Sequence, residues 1–210
     1  MANRSGSLGR AGDWQNAWFE SHIFGGDREN GDHFEVNLQR LMDAPTASFH
    51  VRGVVIPRGR YWWSRYELQY FQSPGRPVSL GAFVNWGGFY GGRSAEVELS
   101  STVRTGGHAI VGMDMTRTAA RLPFGGFTAL LWSARIEYDF STRTSFLGFV
   151  QYTNEAQRAD FNLRFHWIPT IGDDVFVVWN SGYTPIRTPP PDSLHCVLSL
   201  SRSTAPSNSK

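Results

Sequence analysis

Residues 128 to 140 read TALLWSARIEYDF, from Thr128 to Phe140. Leu130, Trp132, Ala134, Ile136, Tyr138 and Phe140 alternate with Ser133, Arg135, Glu137 and Asp139, and a period of two gives a strand one apolar and one polar face. Globular strands run to about 5 or 6 residues, whereas a tilted strand crossing a bilayer needs roughly 9 to 11. An apolar, aromatic-edged face of that length suits hydrocarbon. The stretch therefore predicts an all-β chain, an antiparallel up-and-down transmembrane β-barrel or part of one.

Working outward, the three-residue turn Ser141-Thr142-Arg143 keeps Phe146, Gly148, Val150 and Tyr152 on the side of Ile136 and Tyr138. Parity matters here because a slip of one residue would turn the wrong face to lipid. Arg158 to Ile168 repeats the pattern, with Ala159, Phe161, Leu163, Phe165 and Trp167 outward and Asp160, Asn162, Arg164 and His166 inward. Upstream, Phe34, Val36 and Leu38 oppose Glu35, Asn37 and Gln39. Trp62, Tyr66, Leu68 and Tyr70 oppose Arg65, Glu67 and Gln69, and Val78, Leu80, Ala82, Val84 and Trp86 share one face. Ala95, Val97, Leu99 and Val103, then Ala109, Val111, Met113 and Met115, continue the apolar side.

Asn30-Gly31, Ser73 to Pro77, Gly91-Gly92 and Gly106-Gly107 are tight-turn signals. Longer connections are predicted over 42 to 58, 117 to 126 and 184 to 192, the last holding three consecutive prolines that no strand interior accepts. Residues 1 to 12 predict a disordered or truncated lead-in, 13 to 203 the barrel segment and 204 to 210 a polar tail. The candidate strands number about eleven, whereas single-chain bacterial barrels have even numbers, so the count suits a chain lacking its first strands. With the shorter turns periplasmic, the C-terminus falls on the periplasmic side.

One cysteine, Cys196, precludes an internal disulfide and the metal sites built from cysteine pairs. A formal charge of +2, spread without a basic block, leaves no electrostatic footprint for nucleic acid. A helical span would need roughly 18 or more consecutive apolar residues, and the chain has no such run, though alternating strands never produce one. The opening MANRSGSLGRAGDWQ lacks the apolar centre of an export signal, so export implies a signal upstream.

No residue set demands catalysis. The six histidines form no HExxH pair, the glycine pairs precede no GKS or GKT, and neither a metal nor a cofactor is expected. Arg135, Glu137, Asp139, Asp160, Arg164 and His166 form the candidate lumen set. They can line a pore or hold a polar ligand, or they can form a ladder of cross-strand ion pairs. Trp62, Tyr66, Tyr70, Trp86, Trp132, Tyr138 and Trp167 are girdle candidates, with Leu130, Ile136, Phe146, Tyr152, Phe161 and Phe165 between them facing lipid. Trp63 and Phe83 lie on the opposite face, where lumen contacts would be made.

Two passages carry a resemblance: GVVIPRGRYWWSRYELQYFQSPGRPVSLGAFVNWGGFYGG from Gly53, and FTALLWSARIEYDFSTRTSFLGFVQYTNEAQRADFNLRFHWIPTIGDDVFVVWN from Phe127. They resemble the C-terminal region of the domain of unknown function 5916 family. VQYTN followed by NLRFHWIP and DVFVVWN is the most specific part. The resemblance implies a predicted outer-membrane β-barrel, often placed behind a domain similar to carbohydrate-binding module family 9. It implies lipid as a partner, and a channel, anchor or uptake component for which carbohydrate-derived ligands are the first class to consider. The carbohydrate-binding-like module and leading strands have no counterpart here, and LHCVLSLSRSTAPSNSK lacks a terminal aromatic residue. Two other classes stay open. Relatives are sometimes labelled hydrolases, which would make the chain part of a membrane-associated carbohydrate-active enzyme, and a soluble β-sandwich or lipocalin-like binder would also alternate.

Overall fold

The structure, a computed structural model, describes residues 2–8, 14–170, 172–184 and 195–202. Its contacts divide the chain into two units, Met1–Ser101 with Met115–Leu130 and Thr102–Asp114 with Leu131–Lys210. The first unit holds β1 (Ala2–Leu8), β2 (Trp14–Asp27), β3 (His33–Asp43), β4 (Phe49–Val51), β5 (Val54–Ile56), β6 (Tyr61–Phe71) and β7 (Val78–Phe89). Strands β8 (Gly92–Thr105), β9 (Ala109–Leu122) and β10 (Gly125–Ser141) contribute to both units. The second adds β11 (Thr144–Thr153), β12 (Arg158–Thr170), β13 (Asp173–Tyr183) and β14 (His195–Arg202).

Every strand except β4 and β5 joins one sheet, and each pairs with its neighbours in chain order, β1-β2-β3-β6-β7-β8-β9-β10-β11-β12-β13-β14. The fold is all-β, an antiparallel up-and-down sheet. The sheet is 12-stranded because Ala2–Leu8, within the lead-in expected over residues 1 to 12, pairs antiparallel with β2. Residues 9–13 and the tail beyond 202 lie outside the described residues, as does 185–194 of the proline-rich connection.

Register follows the parity in the sequence. In the second unit Trp132 faces Tyr152, Ile136 faces Gly148 and Tyr138 faces Phe146 across β10 and β11, while Phe146 faces Phe165 and Val150 faces Phe161 across β11 and β12. In the first, Glu20 aligns with Gln39, and Gln39 with Arg65. Asn37 aligns with Glu67, and Glu67 with Asn85. Polar residues therefore meet polar residues across four successive strands.

The connections predicted over 117 to 126 and at Gly91-Gly92 need correction. Strand β9 runs on to Leu122, so Pro123-Phe124 is a two-residue turn and not a long loop. Arg117 and Arg121 broke the apolar alternation there, although the backbone remains extended. Gly126 allows the close pairing, since a Cβ on it would lie 2.7 Å from the Ala120 carbonyl oxygen. The β7–β8 hairpin turns one residue earlier, at Tyr90 (φ 42) and Gly91 (φ 80), both in the left-handed region that such a tight turn requires.

The connection from β3 to β6 carries its own hairpin, β4–β5, turned at Arg52 (φ 47) and Gly53 (φ 82). Its Val54 and fully buried Ile56 join Trp63 and Tyr90 in an apolar cluster, with Leu41, Phe49, Val51, Tyr61, Phe89, Leu122 and Phe127 around it. The Tyr90 ring lies 4.8 Å from Trp63 and 5.2 Å from Tyr61, centroid to centroid, and its hydroxyl donates to Asp43 Oδ2 at 2.6 Å. Burying the Ile56 side chain alone contributes about 2 kcal/mol. Trp63, expected to make lumen contacts, is therefore covered by the hairpin.

A second fastening joins two turns of the first unit. Buried Asp32 accepts the Ser73 backbone N–H at 2.9 Å and Arg76 Nη2 at 2.8 Å, and Tyr70 and Asn30 donate to it at 3.2 Å each. The Ser73 N–H leads in holding this carboxyl below its ordinary range, with Arg76 assisting against the cost of burial. A depressed folded pKa gives stability that is complete above the unfolded value of about 4 and is lost as pH falls through the folded one. Asp32→Asn is expected to melt at a lower temperature at neutral pH, with a smaller further drop on acidification than the wild type shows. Identical melting of both proteins at pH 7 would refute the fastening.

Candidate functional site

The inner face of the first unit is where polar groups converge. Glu67 on β6 is 7% exposed, yet its carboxylate meets four amide donors. Asn37 and Gln69 donate to Oε1 at 3.0 and 2.6 Å, and Gln39 and Asn85 to Oε2 at 2.9 and 3.1 Å. The same Gln39 amide reaches Glu20 Oε1 at 2.9 Å. Carboxylates are almost never buried unless their acceptor oxygens are satisfied, and here neutral amides from β3, β6 and β7 do it.

Arg65, one step along β6, holds the neighbouring row. Its guanidinium donates to the side chain of Asn85, to the Asn85 carbonyl at 3.1 Å, and to Ser94 on β8. Thr118 on β9 donates to Glu96 at 2.9 Å. Toward the other end of the same strands, His22 is hydrogen-bonded to Glu35, and His33 lies 2.8 Å from Asp27 and 3.5 Å from Glu35. No group of three or more His, Cys, Asp or Glu that could hold a metal occurs among the described residues.

Asn37 Oδ1 is buried without a hydrogen-bond partner among the described residues. Such an acceptor needs a donor from water or ligand. Among the described residues of the first unit, Glu20, Glu35, Glu67, Glu96 and Glu98 carry the negative charge of this face against the guanidinium of Arg65, with Arg104 following on the same face of β8. The field in front of it is acidic and favours cations and neutral hydroxyl-bearing molecules over polyanions.

The opposite side of the same strands is apolar and open. Trp62 is 49% exposed and Tyr66 50%, whereas Gln39 is 8% exposed on the other face. Soluble proteins bury such rings and expose such carboxylates; here the preference is reversed.

The residues singled out from sequence fall in both units. In the first, Trp62, Tyr66, Tyr70 and Trp86 are exposed and Leu130 is half-buried; Tyr66 and Trp86 stack at 5.7 Å. In the second, Trp132, Ile136, Tyr138, Tyr152, Phe161, Phe165 and Trp167 are exposed and Phe146 is half-buried. The second unit also carries the polar set. Arg135 lies 3.3 Å from Glu137, Asp160 is 2.6 Å from Arg158, His166 is 2.7 Å from Asp174, and Arg164 lies over the Phe176 ring at 4.6 Å. Asp139 donates its backbone N–H to the His108 carbonyl at 2.8 Å. These are local pairs, and they do not converge as the residues around Glu67 do.

The Glu67 constellation escaped sequence reasoning, although Asn37, Gln39, Glu67 and Gln69 were each assigned to the polar face of their strand. The missing step was register. Glu20 lay in a weakly alternating stretch, and the 17-residue separation of β3 from β6 hid the alignment of Asn37 with Glu67. Glu67→Ala leaves four amides without their acceptor and is expected to lower the unfolding free energy by roughly 3 kcal/mol, read by urea titration of the detergent-refolded chain. Glu98→Ala, on the exposed part of this face, should change it by less than about 0.5 kcal/mol.

No protein-family profile matches the chain, nor does any curated protein. Solved structures to which it is similar include a KdgM porin in complex with disordered oligogalacturonate and a KdgM porin. Each shares 9% identity with it over 87% of this chain and 86% of that chain, at a TM-score of 0.34.

Proposed function

We propose that the chain is an outer-membrane β-barrel, or part of one, that passes or takes up polar solutes through an acidic, amide-lined lumen. The observation that carries this is the reversed burial of the first unit: Glu67, Asn37 and Gln39 are covered while Trp62, Tyr66 and Leu68 stand exposed on the other side of the same strands. In hydrocarbon every backbone N–H and C=O needs a partner, which β-strands supply only by pairing, so side chains alone distinguish the lipid face from the lumen. A soluble sandwich would place its apolar faces against a second layer.

Carbohydrate-derived solutes fit this face because amides and carboxylates match the donors and acceptors of sugar hydroxyls. On this reading Arg135, Glu137, Asp139, Asp160, Arg164 and His166 are lumen groups, and the exposed rings are girdle and lipid contacts. No catalytic role is assigned to the chain.

The test has two parts. Refolded in detergent, the chain should migrate differently on a gel before and after boiling, as a closed sheet resists the denaturant. In planar bilayers it should conduct in discrete steps, with a reversal potential that favours potassium over chloride. A chain that stays soluble without detergent and does not conduct would overturn the proposal, and a preference for chloride would overturn the acidic-lumen part.

A further inference from the structure

The outer face of the first unit is apolar over most of its length, but Arg40, Arg93, Arg117 and Arg121 break it. All four stand on the side opposite the glutamates, and all are exposed. Arg93 is the second residue of β8 and Arg121 the second from the end of β9, so they sit within a residue or two of the strand ends. Arg40 lies 5.5 Å over the Trp62 ring and donates to Ser64 at 3.0 Å, which turns that guanidinium along the girdle.

Arg93 and Arg121, with Tyr66 and Trp86, line a groove of about 620 Å³ to which Gly87, Gly88 and Gly92 also contribute. The glycines are sterically required. A Cβ on Gly88 would lie 2.6 Å from Trp63 Cβ, one on Gly87 2.8 Å from Arg65 Cα, and one on Gly92 2.7 Å from Leu122 Cα. Close approach of the neighbouring strands therefore admits no side chain at these three positions. No carboxylate lines it.

We propose that this groove binds the phosphate of an anionic lipid headgroup, with Arg93 and Arg121 as the phosphate ligands and the Tyr66–Trp86 pair against the upper acyl chain. The site rests on the membrane reading above. Planar guanidinium forks match phosphate oxygens. Arg93 and Arg121 lie near strand ends and Trp86 three residues from the end of β7, and tryptophan near a strand end marks headgroup depth, where phosphate and the first methylenes lie together. Arginines at that depth are attracted to anionic headgroups.

Bromine on a lipid acyl chain quenches nearby tryptophans, which gives the test. The detergent-refolded chain is titrated into mixed micelles with brominated phosphatidic acid or brominated phosphatidylcholine. Each basic residue near a lipid surface is worth about five-fold in affinity, so half-quenching should need roughly twenty-fold less phosphatidic acid than phosphatidylcholine. R93Q/R121Q should abolish that preference and keep the gel shift on boiling, while R143Q, on an exposed turn elsewhere, should retain it. Equal quenching of the wild type by both lipids would overturn the site and leave the membrane reading intact. No quenching by either would overturn both. Displacement by millimolar inorganic phosphate would make free phosphate the ligand and overturn the lipid assignment, and an undiminished preference in R93Q/R121Q would overturn the role of the two arginines.

Discussion

The carboxylate of Glu67 and its four amide donors are the interaction on which the first unit turns. A charge at 7% exposure is tolerable only if its oxygens are occupied, and the donors come from β3, β6 and β7 together. Registry of those strands and satisfaction of the carboxylate's acceptor oxygens are thus one requirement. A one-residue slip between β3 and β6 would remove Asn37 and Gln39 from Glu67 and turn Leu38 inward in their place.

That requirement explains why the two faces differ so sharply. With amides, carboxylates and Arg65 filling the inner side, the alternate positions present mostly apolar or aromatic side chains outward, interrupted by Arg40, Arg93, Arg117 and Arg121, and the large rings stay exposed. Apolar burial, the usual driver of folding in water, is concentrated among the described residues of the first unit in the cluster where the β4–β5 hairpin covers Trp63 and Tyr90, with Ala17, Met42, Ala120 and Ala129 buried outside it. The hairpin acts as a small core at one end of the strands, where Tyr90 also reaches Asp43.

The second unit is built on the same alternation with a different polar economy. Its pairs, Arg135 with Glu137, Arg158 with Asp160 and His166 with Asp174, are local and partly exposed. Exposed pairs of this kind contribute little to stability, so the strands are held by their backbone ladders and by the aromatic cross-strand neighbours, Tyr138 with Phe146 and Phe146 with Phe165.

Periodicity alone determined that the chain is all-β, up-and-down and two-faced, because side-chain parity is a local property of an extended backbone. It placed Trp132, Ile136 and Tyr138 on the apolar side and Glu67 and Asn37 on the polar side. It failed where composition hid conformation: Arg117 and Arg121 made a strand look like a loop, and Ala2–Leu8 looked like a lead-in. Tertiary structure decided which polar residues meet. Register across β2, β3, β6 and β7 depends on turns and pairing distant in sequence, and so the Glu67 network, the covered Trp63 and the arginine-lined groove could arise only once the strands were side by side.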